Sequence, residues 1–105
     1  MTDERRREER VPLSLEVRWE SLSGMHTSAR ISDISLSGCY VESLARVTTG
    51  ESVELEVRSP TGRWLALRGE VVYQHPNVGF GLRFDALSEL ERSMVEQVVE
   101  YARSD

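Results

Sequence analysis

From Leu15 onward apolar and polar residues alternate along the chain. Leu15, Val17 and Trp19 face Glu16, Arg18 and Glu20 across a period of two, the signature of a half-buried strand. Ser21–Gly24 reads as a turn, and Thr27, Ala29 and Ile31 then alternate with Ser28, Arg30 and Ser32. Asp33–Gly38 supplies turn residues before the short apolar stretch Cys39-Tyr40-Val41. A connection over 44–51 leads to Val53, Leu55 and Val57 in alternation with Glu54, Glu56 and Arg58. Ser59-Pro60-Thr61-Gly62 is a hairpin turn, because proline presets φ and glycine tolerates positive φ. A long strand follows from Trp64 to Tyr73, with Leu65, Leu67, Val71 and Tyr73 on one face. After His75-Pro76-Asn77, the residues Phe80, Leu82 and Phe84 alternate once more. Six short strands at regular spacing, with no helix between them, predict an antiparallel sandwich or barrel.

The period then changes. Leu87, Leu90, Met94, Val98 and Tyr101 recur every three or four residues, which predicts an amphipathic helix over about 89–103. Ser88 and Glu91 fit a capping box, with Ser88 at the N-cap. Residues 1–10 carry charge without apolar periodicity and read as a mobile arm, leaving 11–105 as the folded unit.

Composition narrows the function classes. The 105 residues suit one domain. A single cysteine, Cys39, excludes an internal disulfide and multi-cysteine zinc sites. No apolar run reaches the length of a membrane span and no signal-peptide core is present, so the cytoplasm is the expected compartment. The formal net charge of −5 speaks against a general DNA or RNA surface. Trp19 and Trp64 are read as core residues rather than stacking platforms. All 13 basic residues are arginines, and four of them lie in residues 1–10.

Catalytic chemistry finds little support. His26 and His75 lie in strand or turn positions without a motif around them, and Cys39 enters a strand where a buried inert thiol is expected. No nucleophile elbow, zinc-protease pair or P-loop appears. Gly79-Phe80-Gly81 has no third glycine and no helix behind it, and reads as bulge or bend glycines. The chain is expected to be no enzyme and to need no cofactor or metal.

Two short motifs stand out. Arg6-Arg7-Glu8-Glu9-Arg10 fits R-x-x-x-R through Arg6 and Arg10, with Arg5 before it. Asp33-Ile34-Ser35-Leu36-Ser37-Gly38 fits D-x-S-x-x-G. In this order, on six strands with a C-terminal helix, the chain resembles the PilZ domain family of bacterial cyclic di-GMP receptors. The Gly79–Phe84 segment resembles that family's closing strand. The resemblance implies a six-stranded antiparallel β-barrel with a C-terminal helix. It also implies a cyclic di-GMP site made by Arg5, Arg6, Arg10, Asp33, Ser35 and Gly38. Arg5 resembles the residue found in members that take a stacked pair of ligands.

The chemistry agrees with that implication. Arginine forks pair with phosphate and with the O6/N7 edge of guanine, and they stack on bases. Asp33 can accept from guanine N1–H and N2–H₂, Ser35 offers a hydroxyl, and Gly38 lets backbone approach the ligand. Glu8 and Glu9 compete with the ligand for the arginines, at a strength of only about 0–1 kcal/mol per exposed pair. The expected role is a receptor whose arm orders on binding and signals to a partner effector protein. The alternative is a protein-docking module of the same fold that does not depend on cyclic di-GMP.

Overall fold

The structure, a computed structural model, describes residues 10–22 and 24–104. Arg5, Arg6 and the expected mobile arm before Arg10 lie outside the described residues. Six strands run in chain order: β1 (Val11–Ser21), β2 (Gly24–Ile34), β3 (Gly38–Glu42), β4 (Ser52–Arg58), β5 (Trp64–His75) and β6 (Gly79–Phe84). A helix, α1 (Glu89–Ser104), follows β6. Every pairing is antiparallel, in the order β1-β2-β3-β6-β5-β4, and β4 pairs back onto β1 to close a barrel. Closure leaves no sheet edge exposed, and a six-stranded barrel is narrow enough for side chains to fill it.

The filling follows the alternation in the sequence. Val17, Ile31, Val41, Val53, Leu55, Val71, Phe80 and Leu82 are all buried in the interior. Trp19 lies among them, 1% exposed, with its ring 4.2 Å from His26 and 5.1 Å from Phe80 between centroids. His26 is therefore a ring stacked on the core tryptophan rather than a free turn residue. A register shift between Val17 and Trp19 brings it there, and the same shift leaves Thr27 exposed instead of inward. Trp64 departs from the core reading as well. It is only half-buried, and Arg18 and Arg58 place guanidinium carbons 4.0 and 5.3 Å from its ring centroid.

The capping box forms in both directions: the Glu91 N–H donates to Ser88 Oγ at 3.1 Å, and the Ser88 N–H donates to Glu91 Oε1 at 2.8 Å. Helix α1 then turns Val95, Val98 and Val99 onto the barrel beside β1 and β5. Leu90 and Tyr101, assigned by spacing to the apolar stripe, remain 70% and 53% exposed. No helix among the described residues is long and apolar enough to cross a membrane.

Two irregularities position the site. β2 runs through Asp33 to Ile34, so Asp33 is a strand residue and not a turn residue as its motif suggested. Ile31 pairs with Val41 and Asp33 with Tyr40, leaving Ser32 as one extra residue. In β5, Val71 pairs with Leu82 and Tyr73 with Gly81, leaving Val72 as the extra residue. A bulge inverts the alternation beyond it. Ile34 thus turns inward and Asp33 outward, while Val71 stays inside and Tyr73 leaves the face it was expected to share with Val71.

Candidate functional site

The bulges align one row across the outer face of the barrel. Pro12 pairs with Asp33, Asp33 with Tyr40, Tyr40 with Gly81 and Gly81 with Tyr73. Arg10, immediately before β1, reaches into this row from the side. Its Nη1 donates to the Tyr73 hydroxyl at 2.8 Å and lies 3.5 Å from Asp33 Oδ1. Its guanidinium carbon is 5.8 Å from the Tyr73 ring centroid, at the outer limit of a cation–π contact, so the hydroxyl bond is the stronger tie. Burial works against the Arg10 charge, but the Tyr73 hydrogen bond and the Asp33 carboxylate outweigh it and raise its pKa.

Asp33 Oδ1 is buried and has no hydrogen-bond partner among the described residues. The Arg10 contact, at 3.5 Å, is an ion pair without a hydrogen bond. An acceptor left open in this way is costly in an ordinary interior and marks a place where a donor is expected to dock. The pair itself is half open to water, and such a pair contributes about 0–1 kcal/mol. Arg10 can therefore leave Asp33 for a phosphate at little cost.

Ser35 and Gly38 stand differently. Ser35 is 2% exposed, and its Oγ accepts from the N–H groups of Ser37 and Gly38, both at 3.2 Å. Its own N–H donates to the Gly38 carbonyl at 2.8 Å. The hydroxyl thus closes the β2–β3 turn, the local competition for backbone groups in which serine excels. Gly38, expected to give a ligand close backbone approach, is buried in the barrel wall. A Cβ there would stand 2.1 Å from the Leu82 carbonyl oxygen of β6, so glycine is demanded by strand packing. Of the six residues singled out from sequence, the structure brings Arg10 and Asp33 together. Ser35 and Gly38 shape the turn that follows Asp33.

Sequence reasoning missed the aromatic part of the face. Tyr40, Tyr73 and His75 cluster outside the barrel, with centroids 6.2 Å apart for the tyrosines and 5.8 and 5.5 Å from each to His75. The Tyr40 hydroxyl and His75 Nδ1 are hydrogen-bonded at 3.0 Å. Burial and then the neighbouring Tyr73, Glu42 and Asp33 raise the Tyr40 pKa, which keeps the phenol neutral. The available signal was Gly79-Phe80-Gly81, since outward glycines in a strand are often covered by rings from neighbouring strands. Just inside the barrel wall lies Cys39, whose thiol is pushed up to about 12 by burial and by the Asp33 charge. It is an inert core thiol, as its place in the sequence suggested.

A small closed β-barrel with a helical cap, presenting a cation and an open carboxylate on its outer wall, has the form of a binding module. The PilZ domain model matches residues 4–101, and the chain belongs to the PilZ domain family. Solved structures share the fold. The PilZ domain of CeSA from a cellulose-synthesizing bacterium superposes with a TM-score of 0.70 at 17% identity, covering 90% of this chain and 98% of that one. The Bacillus subtilis inhibitor of motility gives 0.70 at 16% identity, covering 96% of this chain and 52% of that one. An uncharacterized Legionella protein gives 0.57 at 20% identity, covering 91% and 95%. Comparison with curated proteins gives no match.

Proposed function

We propose that the chain is a cyclic di-GMP receptor that acts as an adaptor in the bacterial cytoplasm. The observation that carries this reading is the buried Asp33 acceptor, unpartnered among the described residues, beside the Arg10 charge on one outer row of a PilZ barrel. Arg10 supplies the fork for a phosphate or the O6/N7 edge, and Asp33 accepts from the N1–H and N2–H₂ edge that guanine has and adenine lacks. Arg6 completes the R-x-x-x-R spacing, and Arg5 and Arg6 are assigned to the same ligand through the family motif. The arm gains order as its arginines engage the ligand, and the ordering entropy is offset by charge-assisted contacts. The ordered arm and the acidic face of α1 are then the surfaces that an effector protein reads.

A calorimetric titration tests this reading. Cyclic di-GMP is expected to bind saturably and linear or mononucleotide guanines far more weakly. A flat titration up to the millimolar range promotes the alternative, docking of a partner without the ligand. Hydrogen exchange tests the switch: protection of residues 1–10 is expected to rise with ligand, and equal protection in both states removes the arm from the mechanism.

A further inference from the structure

Gly79 and Gly81 face outward from β6, and their missing side chains are replaced by rings from the two flanking strands. A Cβ on Gly81 would lie 2.4 Å from Tyr73 Cζ, and one on Gly79 would lie 2.2 Å from the Val41 carbonyl oxygen and 2.9 Å from Tyr40 Cε2. Tyr73 therefore leans in from β5 and Tyr40 from β3, meeting over β6 with an interplanar angle of 28°. His75 braces the outer edge of Tyr40 through the 3.0 Å hydrogen bond. The resulting surface is not sealed, for Tyr73 keeps 36% of its area exposed. Its two ends are polar in a definite way. Asp33 is the direct strand partner of Tyr40, and Arg10 is hydrogen-bonded to Tyr73.

We propose that Tyr40 and Tyr73 form a stacking floor for one guanine base of the cyclic dinucleotide, with His75 holding Tyr40 in place. The inference rests on the receptor reading above and adds ligand-binding residues to it. Three features of the ligand then meet three separate groups: the base plane lies on the tyrosines, the base edge reaches Asp33, and phosphate takes Arg10. Aromatic floors suit nucleobases because both surfaces are flat and weakly hydrated, and offset stacking needs no exact register.

The competing explanation is that the rings only shield the β6 backbone, and a leucine would do that equally well. The test therefore uses Tyr73→Leu and Tyr40→Leu, which keep the shield and lose the π-face. Gly81→Ala complements them, because the atoms nearest its new methyl are those of the Tyr73 ring, which must move. Tyr73→Phe is the control that keeps the floor and loses only the Arg10 tie. Binding is read by calorimetry with cyclic di-GMP, and geometry by the NMR shift of the ligand's guanine H8 on folded protein. The leucine variants are expected to lose about 5- to 150-fold in affinity, and Gly81→Ala to weaken binding without removing a ring. An upfield ring-current shift of H8 is expected in the wild type and in Tyr73→Phe, and is expected to shrink in Tyr73→Leu. Wild-type binding with unshifted H8 and undiminished leucine variants overturns the floor and leaves the receptor reading standing. A wild-type chain that binds no cyclic di-GMP overturns both.

Discussion

Arg10 and Tyr73, 63 residues apart in sequence, are joined by a 2.8 Å hydrogen bond that ties the entrance of β1 to the outward bulge of β5. The bond holds the arginine beside Asp33. Removing the hydroxyl alone, in Tyr73→Phe, is expected to weaken cyclic di-GMP binding by about 2- to 12-fold, the worth of one ordinary hydrogen bond. Thermal stability is expected to stay nearly unchanged, since the contact is exposed. Calorimetry on the two proteins checks this, and tighter binding by Tyr73→Phe would show that the bond competes with the ligand instead of preparing for it.

Gly38 separates fold from function. Its Cβ position lies 2.1 Å from a backbone oxygen of β6, and two paired strands cannot part by that much without losing ladder bonds. Gly38→Ala is expected to destabilise the barrel toward the upper end of the roughly 1–3 kcal/mol typical of overpacking, or beyond it. Urea unfolding without ligand measures this directly. A Gly38→Ala protein as stable as wild type that has lost ligand affinity would assign this glycine to ligand approach rather than to strand packing.

Cys39 makes stability fall on the alkaline side. Its thiol titrates near 9.0 ordinarily and at about 12 in the fold. Between those values the native state holds a proton that the unfolded chain releases, so the unfolded chain gains as pH rises. The stabilising contribution is whole below pH 9.0 and is lost as pH climbs toward 12. The slope is at most about 1.4 kcal/mol per pH unit. Urea midpoints at neutral pH and near pH 10 are expected to differ more in wild type than in Cys39→Ala. Equal differences would place the alkaline loss on other groups.

Most of the barrel was legible because each strand repeats its apolar residues with period two, from Val17 and Trp19 to Phe80 and Leu82. The capping box at Ser88 and Glu91 was legible because both halves of it are local. Of the candidate site, motif and geometry coincide at Arg10 and Asp33, which the fold brings together. A bulge carries no period of its own, so the extra residues Ser32 and Val72 were hidden, and with them the outward turn of Tyr73. Ser35 and Gly38 belong to the same motif as Asp33, yet close contacts that only the folded β2–β3 turn creates give them structural work.

Asp33 is expected to govern which base is accepted. Asp33→Asn replaces one acceptor by a donor facing the N–H edge of guanine, while Arg10 and its reach toward phosphate remain. Cyclic di-GMP affinity is expected to fall by about 10- to 150-fold, the worth of one hydrogen bond to a charged group. Preference over cyclic di-AMP is expected to narrow. Competition between the two dinucleotides reads this ratio, and an unchanged ratio would put guanine selection elsewhere.

The affinity of Arg10→Ala for cyclic di-GMP, compared with wild type by calorimetry on folded protein, decides whether Arg10 binds the ligand. Arg10 lies before β1 and outside the core, so the substitution is expected to leave the barrel intact. Losing its charge-assisted contact is expected to cost roughly 1.5–3 kcal/mol, about 10- to 150-fold in affinity. A wild type that binds saturably and an Arg10→Ala that binds within that weaker range is the predicted result. An Arg10→Ala protein that binds as tightly as wild type, or a wild type that gives no heat of binding at all, contradicts it.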